Sequence, residues 1–282
     1  MSLPLKQKND PSFWDRRRGV IFSKKGGIVF GKGVYCHGYD MMEELVGRAS
    51  YFQVMLLSIT GRLPEKRLAD ILEAMFLGSS YPDDRIWCNQ IGSLAGTTGA
   101  SPVAAVSAGI LASDSDLYGP GTVQKSAAFI SRALIKQQQG ASIEAIIRSH
   151  QRNPGAKPII VGYARPVANG DERISALQRI SHELGFTEGE HLRLALEIDA
   201  YLRGRFGETI NLTGYLTAFL CDQGFTPLEI YRICSTSVSS GVLACYAESA
   251  DQPPESFFPL QCGDIDYQGK PPRDVPEQEK KQ

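Results

Sequence analysis

Histidine is scarce in this 282-residue sequence, with four positions (His37, His150, His182 and His191) and no i, i+4 pair among them. Without such a pair a helical metal site has no starting point, and structural or surface roles are expected for all four; no metal is expected. The six cysteines (Cys36, Cys88, Cys221, Cys234, Cys245 and Cys262) form no CxxC pair and have mostly apolar neighbours. That pattern excludes a zinc ribbon and suits reduced thiols in a cytoplasmic protein. No excess charge is present, since 30 Lys+Arg face 31 Asp+Glu. A global field for nucleic acid or an anionic membrane is therefore excluded, and any ligand must be recognised locally.

Other signatures are missing as well. The glycines between Gly26 and Gly33 fit neither GxGxxG nor GxxxxGK[ST], which argues against nucleotide hydrolysis. No GxSxG elbow exists, so Ser237, Ser239 and Ser240 read as small packing hydroxyls. The longest small-apolar stretch, Thr98 to Ala112, is broken by Ser101, Pro102 and Ser107, and the opening Met-Ser-Leu-Pro-Leu-Lys has no apolar h-region. The expectation is a chain that is neither exported nor membrane-anchored.

What remains is a chain long enough for one large domain, or a large and a small one. Residues up to about Gly19, with the run Arg16, Arg17, Arg18, read as a solvated arm. Apolar triplets between Val20 and Tyr35 flank Ser23-Lys24-Lys25-Gly26-Gly27, which predicts a β-hairpin turning on the glycines. From Tyr39 the apolar period becomes helical. Asp40 and Glu43 predict a capping box for one helix running past Leu56 to a stop at Gly61. Pro64 predicts the first turn of the next helix and Gly78 its left-handed end.

Helices are then expected through Trp87, Ile91 and Leu94, and through Val103, Val106 and Ile110. Small faces on the latter permit a tight helix pair. Another follows Gly121 and ends near Gly140, before a proline-bearing link from His150 to Pro158 that reads as a hinge. Ile174 to Leu184 predicts a helix closed by Gly185. Thr187 and Glu190 predict a capping box for the next, and Ile210 to Cys221 a further helix stopped by Gly224. Thr226, Pro227 and Glu229 predict the start of a last long helix through Ile233, Val238, Val242 and Ala247, followed by a Pro-rich charged tail after Lys270.

Composition and spacing reach no further than a helical domain with a flexible link. Several segments, however, stand in a familiar order. Gly38-Tyr39-Asp40 leads to Gly61-Arg62-Leu63-Pro64. Ile160-Val161-Gly162-Tyr163-Ala164-Arg165-Pro166-Val167 precedes Asp171-Glu172-Arg173. Asn211-Leu212-Thr213, the segment from Gly241 to Glu248, and Tyr267-x-Gly269 with Arg273 and Pro276 follow. Together these resemble the citrate synthase superfamily, whose motifs include Gly-Phe-Gly-His-Pro-Val, Asp-Pro-Arg and Asn-Val-Asp, and in particular its short citryl-CoA lyase branch.

The resemblance implies an all-α fold with a short N-terminal β-hairpin: a large helical domain from residues 1–122 and 224–282, and a small inserted one from 123–223. It implies a coenzyme A thioester as substrate with no covalently bound cofactor. Acyl-CoA and a small carboxylic acid are the implied partners, together with a homodimer or a hetero-oligomer with a related subunit. By position it assigns catalysis to Thr122, Arg165 and Thr213, substrate binding to His37, Arg173 and Asn211, and coenzyme A contacts to Lys157 and Gly162.

The family's chemistry uses two histidines and an aspartate, and this sequence has none of them in place. Thr122 stands for the first histidine, Arg165 for the second and Thr213 for the aspartate, while Cys262 stands for a carboxylate-gripping arginine. A threonine hydroxyl is no base near neutral pH without a partner to take its proton. Arg165 has two open roles, a clamp for a carboxylate or oxyanion, or an ion pair with an internal acid such as Asp171. Two functional expectations follow: a diverged carbon–carbon lyase or acyltransferase acting on a CoA thioester, and a pseudoenzyme that binds acyl-CoA or pairs with an active relative. A helical interaction domain unrelated to coenzyme A is the third.

Overall fold

The computed structural model describes residues 11–19, 21–165, 170–254, 256 and 262–275, apart from the side chain of Cys262. Val20, Pro166, Val167, Pro276 and the Cys262 side chain, all used in the sequence reading, lie outside what is described. The chain begins with a short helix, α1 (Pro11–Asp15), followed by one small antiparallel sheet of three strands, β1 (Gly26–Val29), β2 (Gly33–Cys36) and β3 (Tyr39–Asp40). The expected hairpin is present but turns later. Gly26 and Gly27 lie inside β1, paired with Cys36 and Tyr35, and the reversal is a three-residue loop at Phe30-Gly31-Lys32. The loop closes where Gly31 supplies the left-handed residue that such a turn requires.

The first predicted helix is broken in two. The Asp40 carboxylate accepts from the N–H groups of Met42 and Glu43, but the reciprocal bond to its own N–H comes from Glu44, and only one wide turn, Met41–Leu45, follows. After Gly47 the chain restarts at α2 (Tyr51–Thr60), where Ser50 and Gln53 form the capping box and Gly61 is the left-handed stop. Pro64 lies ahead of α3 (Lys66–Ser79) rather than in its first turn. Gly78 is an ordinary helical residue, because the helix runs one residue past it.

The next pair, α4 (Trp87–Thr97) and α5 (Pro102–Ser113), packs against the last long helix, α12 (Ser239–Ala250). Their closeness comes from glycine. A Cβ on Gly92 would lie 2.6 Å from the Val242 carbonyl oxygen, and one on Gly109 2.6 Å from a Val242 methyl. The close approach expected of the small residues on α5 is thus made to both α4 and α12, within one chain. This unit has its own small apolar cluster of Cys88, Val238 and Val242.

The main core is built by α2, α3, α6 (Pro120–Gln138), α7 (Ile143–Arg148), α8 (Glu172–Glu183), α9 (Glu190–Phe206), α10 (Leu212–Asp222) and α11 (Pro227–Cys234). The short α7, capped by Ser142, has no counterpart among the sequence expectations. The Thr187–Glu190 box does not form. Instead Asp222, from the end of α10, accepts from the N–H groups of His191 and Leu192 and so caps α9 through space. The Thr226–Glu229 box forms as expected, but the helix it starts ends at Cys234. A run of tight turns through Ser235 to Ser237 separates it from α12. At the centre, α10 is buried from Leu212 to Cys221 apart from Thr213, which is half-buried. Among the described residues no helix is long and apolar enough to cross a membrane.

Candidate functional site

Helices α6 and α10 lie side by side and point the same way. Ser126 and Thr217 share a hydroxyl hydrogen bond of 2.9 Å, and further along both helices Ser131 meets Cys221 at 3.7 Å. One turn back from the first contact, this register puts Thr122 on α6 level with Thr213 on α10, at the two N-terminal ends. The segment leading to Arg165 is wedged against the same place. Gly162 sits at φ +99°, and a Cβ there would lie 2.5 Å from the Ser126 hydroxyl and 2.9 Å from the Cα of Gly214. Only glycine fits both the backbone angle and the gap.

From Gly162 the chain forms a short ribbon with 209–211. The Asn211 N–H donates to the Gly162 carbonyl (3.0 Å), Ala164 N–H to the Thr209 carbonyl (2.8 Å), and Tyr163 bridges Ile210. Asn211 then does two things with one amide. Its Oδ1 accepts from Gly214 N–H as the cap of α10, and its Nδ2 donates to the Ala164 carbonyl at 2.7 Å. Ala164 is held at φ +72°, a region that disfavours any Cβ.

Arg165 follows, and its partner is Glu172, with Nη1 to Oε2 at 2.6 Å and Nη2 to Oε1 at 3.4 Å. Asp171 stands 3.8 Å behind it. Arg173 is tied far more completely: Nε and Nη2 donate to the two Asp171 oxygens at 2.7 and 2.6 Å, and Nη1 donates to the Gly78 carbonyl at 3.1 Å. The Asp171 side chain is fully buried and also accepts from the Leu212 N–H at 2.8 Å, which fastens the arginine pair to the start of α10. Burial alone would push the Asp171 carboxyl up. The bonds and charge of Arg173, with the Leu212 and Arg173 N–H groups, outweigh it and hold the carboxyl below its ordinary value. The bond from Arg165 likewise holds Glu172 low, and the Arg165 guanidinium is pushed up by the same bond.

Five of the eight residues singled out from sequence, Arg165, Arg173, Asn211, Thr213 and Gly162, therefore meet around the start of α10, with Thr122 level with them on α6. Thr122 gives its hydroxyl to the Gly119 carbonyl at 2.7 Å. Thr213 is half-buried, and its hydroxyl makes no hydrogen bond among the described residues; its carbonyl accepts from Thr217. The other two stand apart. His37, on the β2–β3 turn, packs against Gly61 at the end of α2, and its buried Nε2 has no hydrogen-bond partner among the described residues. Lys157 pairs with Glu208.

Two neighbours were missed in the sequence. Glu172 stood in the sequence only as the middle of Asp171-Glu172-Arg173, with nothing to single it out over Asp171 as the partner of Arg165. Tyr118, just ahead of α6, stacks near Trp87 at 5.6 Å. Burial raises its phenol well above the ordinary value, further raised by Cys88 and partly offset by Arg173.

With this arrangement the fold can be stated: it is the all-helical citrate synthase-like fold. The chain is similar to citryl-CoA lyase from Hydrogenobacter thermophilus (24% identity, TM-score 0.77), across 91% of this chain and 98% of that one. It is also similar to ATP citrate lyase from Methanothrix soehngenii, solved with citrate and coenzyme A (16% identity, TM-score 0.71), matching 96% of this chain but 45% of that one. A third is citrate synthase from Thermoplasma acidophilum, solved in a ternary complex with carboxymethyl coenzyme A and oxaloacetate (15% identity, TM-score 0.59, 80% of this chain and 59% of that one). No protein-family model matches the sequence, and no curated protein does.

Proposed function

We propose that this chain binds a coenzyme A thioester together with a small carboxylic acid at the site around Arg165, Arg173, Asn211, Thr213 and Thr122. The observation that carries the reading is the gathering of these residues at the parallel starts of α6 and α10, in a fold whose solved examples hold citrate and coenzyme A. In its active form the reading is a diverged citryl-CoA lyase-like or acyltransferase reaction, making or breaking a carbon–carbon bond. In its inactive form the fold is kept for ligand binding or for pairing with an active relative.

A specific observation favours the inactive form. The acids beside the arginines, Asp171 and Glu172, are both ion-paired with carboxyl groups held below their ordinary range, and a weakly basic carboxylate is a poor proton acceptor. The Thr213 hydroxyl makes no hydrogen bond among the described residues that could carry its proton away. Lys157 and Gly162 remain the proposed coenzyme A contacts and His37 a proposed substrate contact. The division into 1–122 with 224–282 and 123–223 is the proposed frame for closure at the 150–158 link. A cytoplasmic homodimer or hetero-oligomer fits the same reading. Val103 and Leu111 on α5 and Leu243 on α12 expose apolar surface that a second subunit would cover.

The test is calorimetric titration with CoA, acetyl-CoA and a citryl-CoA analogue, repeated with Arg165→Ala and Arg173→Ala, alongside a citryl-CoA cleavage assay. Binding weakened in both variants without turnover is expected. Turnover abolished by Arg165→Ala would restore the enzyme, and absence of all binding would remove the ligand reading.

A further inference from the structure

The two arginines of this site are occupied in different ways. Arg173 is locked: three of its nitrogens are bonded, two of them to Asp171, whose side chain is 0% exposed and also holds the Leu212 N–H. Freeing Arg173 for a ligand would strand a buried carboxylate and uncouple the start of α10. Arg165 is itself largely buried, with 16% of its side chain exposed, yet its fork is filled by Glu172, whose side chain is 73% exposed. An exposed carboxylate leaves an ion pair at little cost, since water solvates it at once. Only one of the two cations therefore has an exchangeable partner. That partner presents two oxygens to the guanidinium fork, as a bidentate ligand carboxylate does.

Resting on the reading that this site takes a small carboxylic acid, we propose that Glu172 is its specificity-determining residue: an intramolecular carboxylate that fills Arg165 until a ligand carboxylate replaces it. The exchange moves no proton and breaks no covalent bond. The incoming carboxylate takes Nη1 and Nη2, and the Glu172 side chain turns to solvent. Because Glu172 starts α8, the displaced charge stays close by. It opposes ligands with further negative groups, so the site in its native form disfavours polycarboxylates.

The test uses the full-length protein and citrate as the probe, with Glu172→Gln, Glu172→Asp and Arg165→Gln compared by calorimetry and thermal unfolding. Glu172→Gln should tighten citrate binding about three- to tenfold, the range that removes an exposed ion pair and one like-charge neighbour. Glu172→Asp keeps the charge but loses the reach, and should also tighten binding, by less. Arg165→Gln should abolish it. Citrate binding that Glu172→Gln leaves unchanged or weakens overturns the competitor role while the ligand reading stands. So does tightening by Gln with Asp indistinguishable from the native protein, which would reduce Glu172 to a source of field. If acyl-CoA binds but citrate binds neither the native protein nor Glu172→Gln, this inference fails alone. If neither ligand binds any form, the functional reading fails with it.

Discussion

Two adjacent acids, Asp171 and Glu172, give the sharpest test of how this site is built. Asp171→Ala removes a fully buried carboxylate from Arg173 and from the Leu212 N–H. Breaking a buried ion pair costs about 3–5 kcal/mol. Arg173 keeps 22% exposure and can rehydrate in part, so the lower end of that range applies to it. The stranded Leu212 N–H adds about 1–3 kcal/mol, for a loss of about 4–6 kcal/mol in all. In a chain of this size each kcal/mol shifts Tm by about 2 °C, so a fall of about 8–12 °C is expected in calorimetric or fluorescence melts. Glu172→Ala, one residue on, removes an exposed pair and should cost no more than about 1 kcal/mol, or about 2 °C. Hydrogen exchange at the Leu212 amide should speed up in the first variant and not in the second. Equal shifts in the two variants, or an Asp171→Ala fall below about 3 °C with Leu212 exchange unchanged, would refute the idea that Asp171 organises this region.

Three further outcomes are expected. Gly162→Ala should destabilise by about 2–4 kcal/mol, combining a left-handed φ with overlap against Ser126 and Gly214, whereas Ala164→Gly should be neutral or stabilising by about 0.5 kcal/mol; opposite signs in chemical denaturation check the pair. Acid should weaken the native protein as its pH falls below about 4, the ordinary carboxyl value in the unfolded chain, and on through the depressed native value of Asp171. The acid limb of an unfolding series should accordingly be shallower in Asp171→Ala. Among the described thiols, half-buried Cys36 should alkylate first at pH 8. Cys221 and Cys245, pushed up to about 11 by burial, and Cys234, pushed up to about 12, should stay protected until denaturant is added, as read by mass spectrometry.

The sequence was most readable where the physics is local. Gly61 ends α2 and the Thr226–Glu229 box starts α11 because each acts on neighbours within a turn. The order of motifs from Gly38 to Gly269 led to the citrate synthase-like fold for a similar reason, since turn and cap residues at fixed offsets survive where side-chain chemistry has changed. Failures came where a partner arrives from far along the chain. Asp222 replaces the predicted cap of α9 across about thirty residues, and no spacing rule connects them. The break at Gly47 and the turns at Ser235–Ser237 interrupt apolar periods that read as continuous. At the site, Arg165 was visible as an out-of-place cation, but the choice between Asp171 and Glu172 depends on reach and burial, which only the folded backbone fixes.

The packing of α12 also bears on how the protein is made. Helices α4 and α5 lie in the first half of the chain, yet the partner that fills the narrow gaps at Gly92 and Gly109 is Val242. During synthesis these two helices emerge long before their cover exists, with Cys88, Val106 and Ile110 left around the place that Val238 and Val242 later fill. That part of the molecule must wait, half-formed and apolar, until α12 has left the ribosome. A truncation that removes α12 should therefore register in the cell as chaperone dependence and degradation.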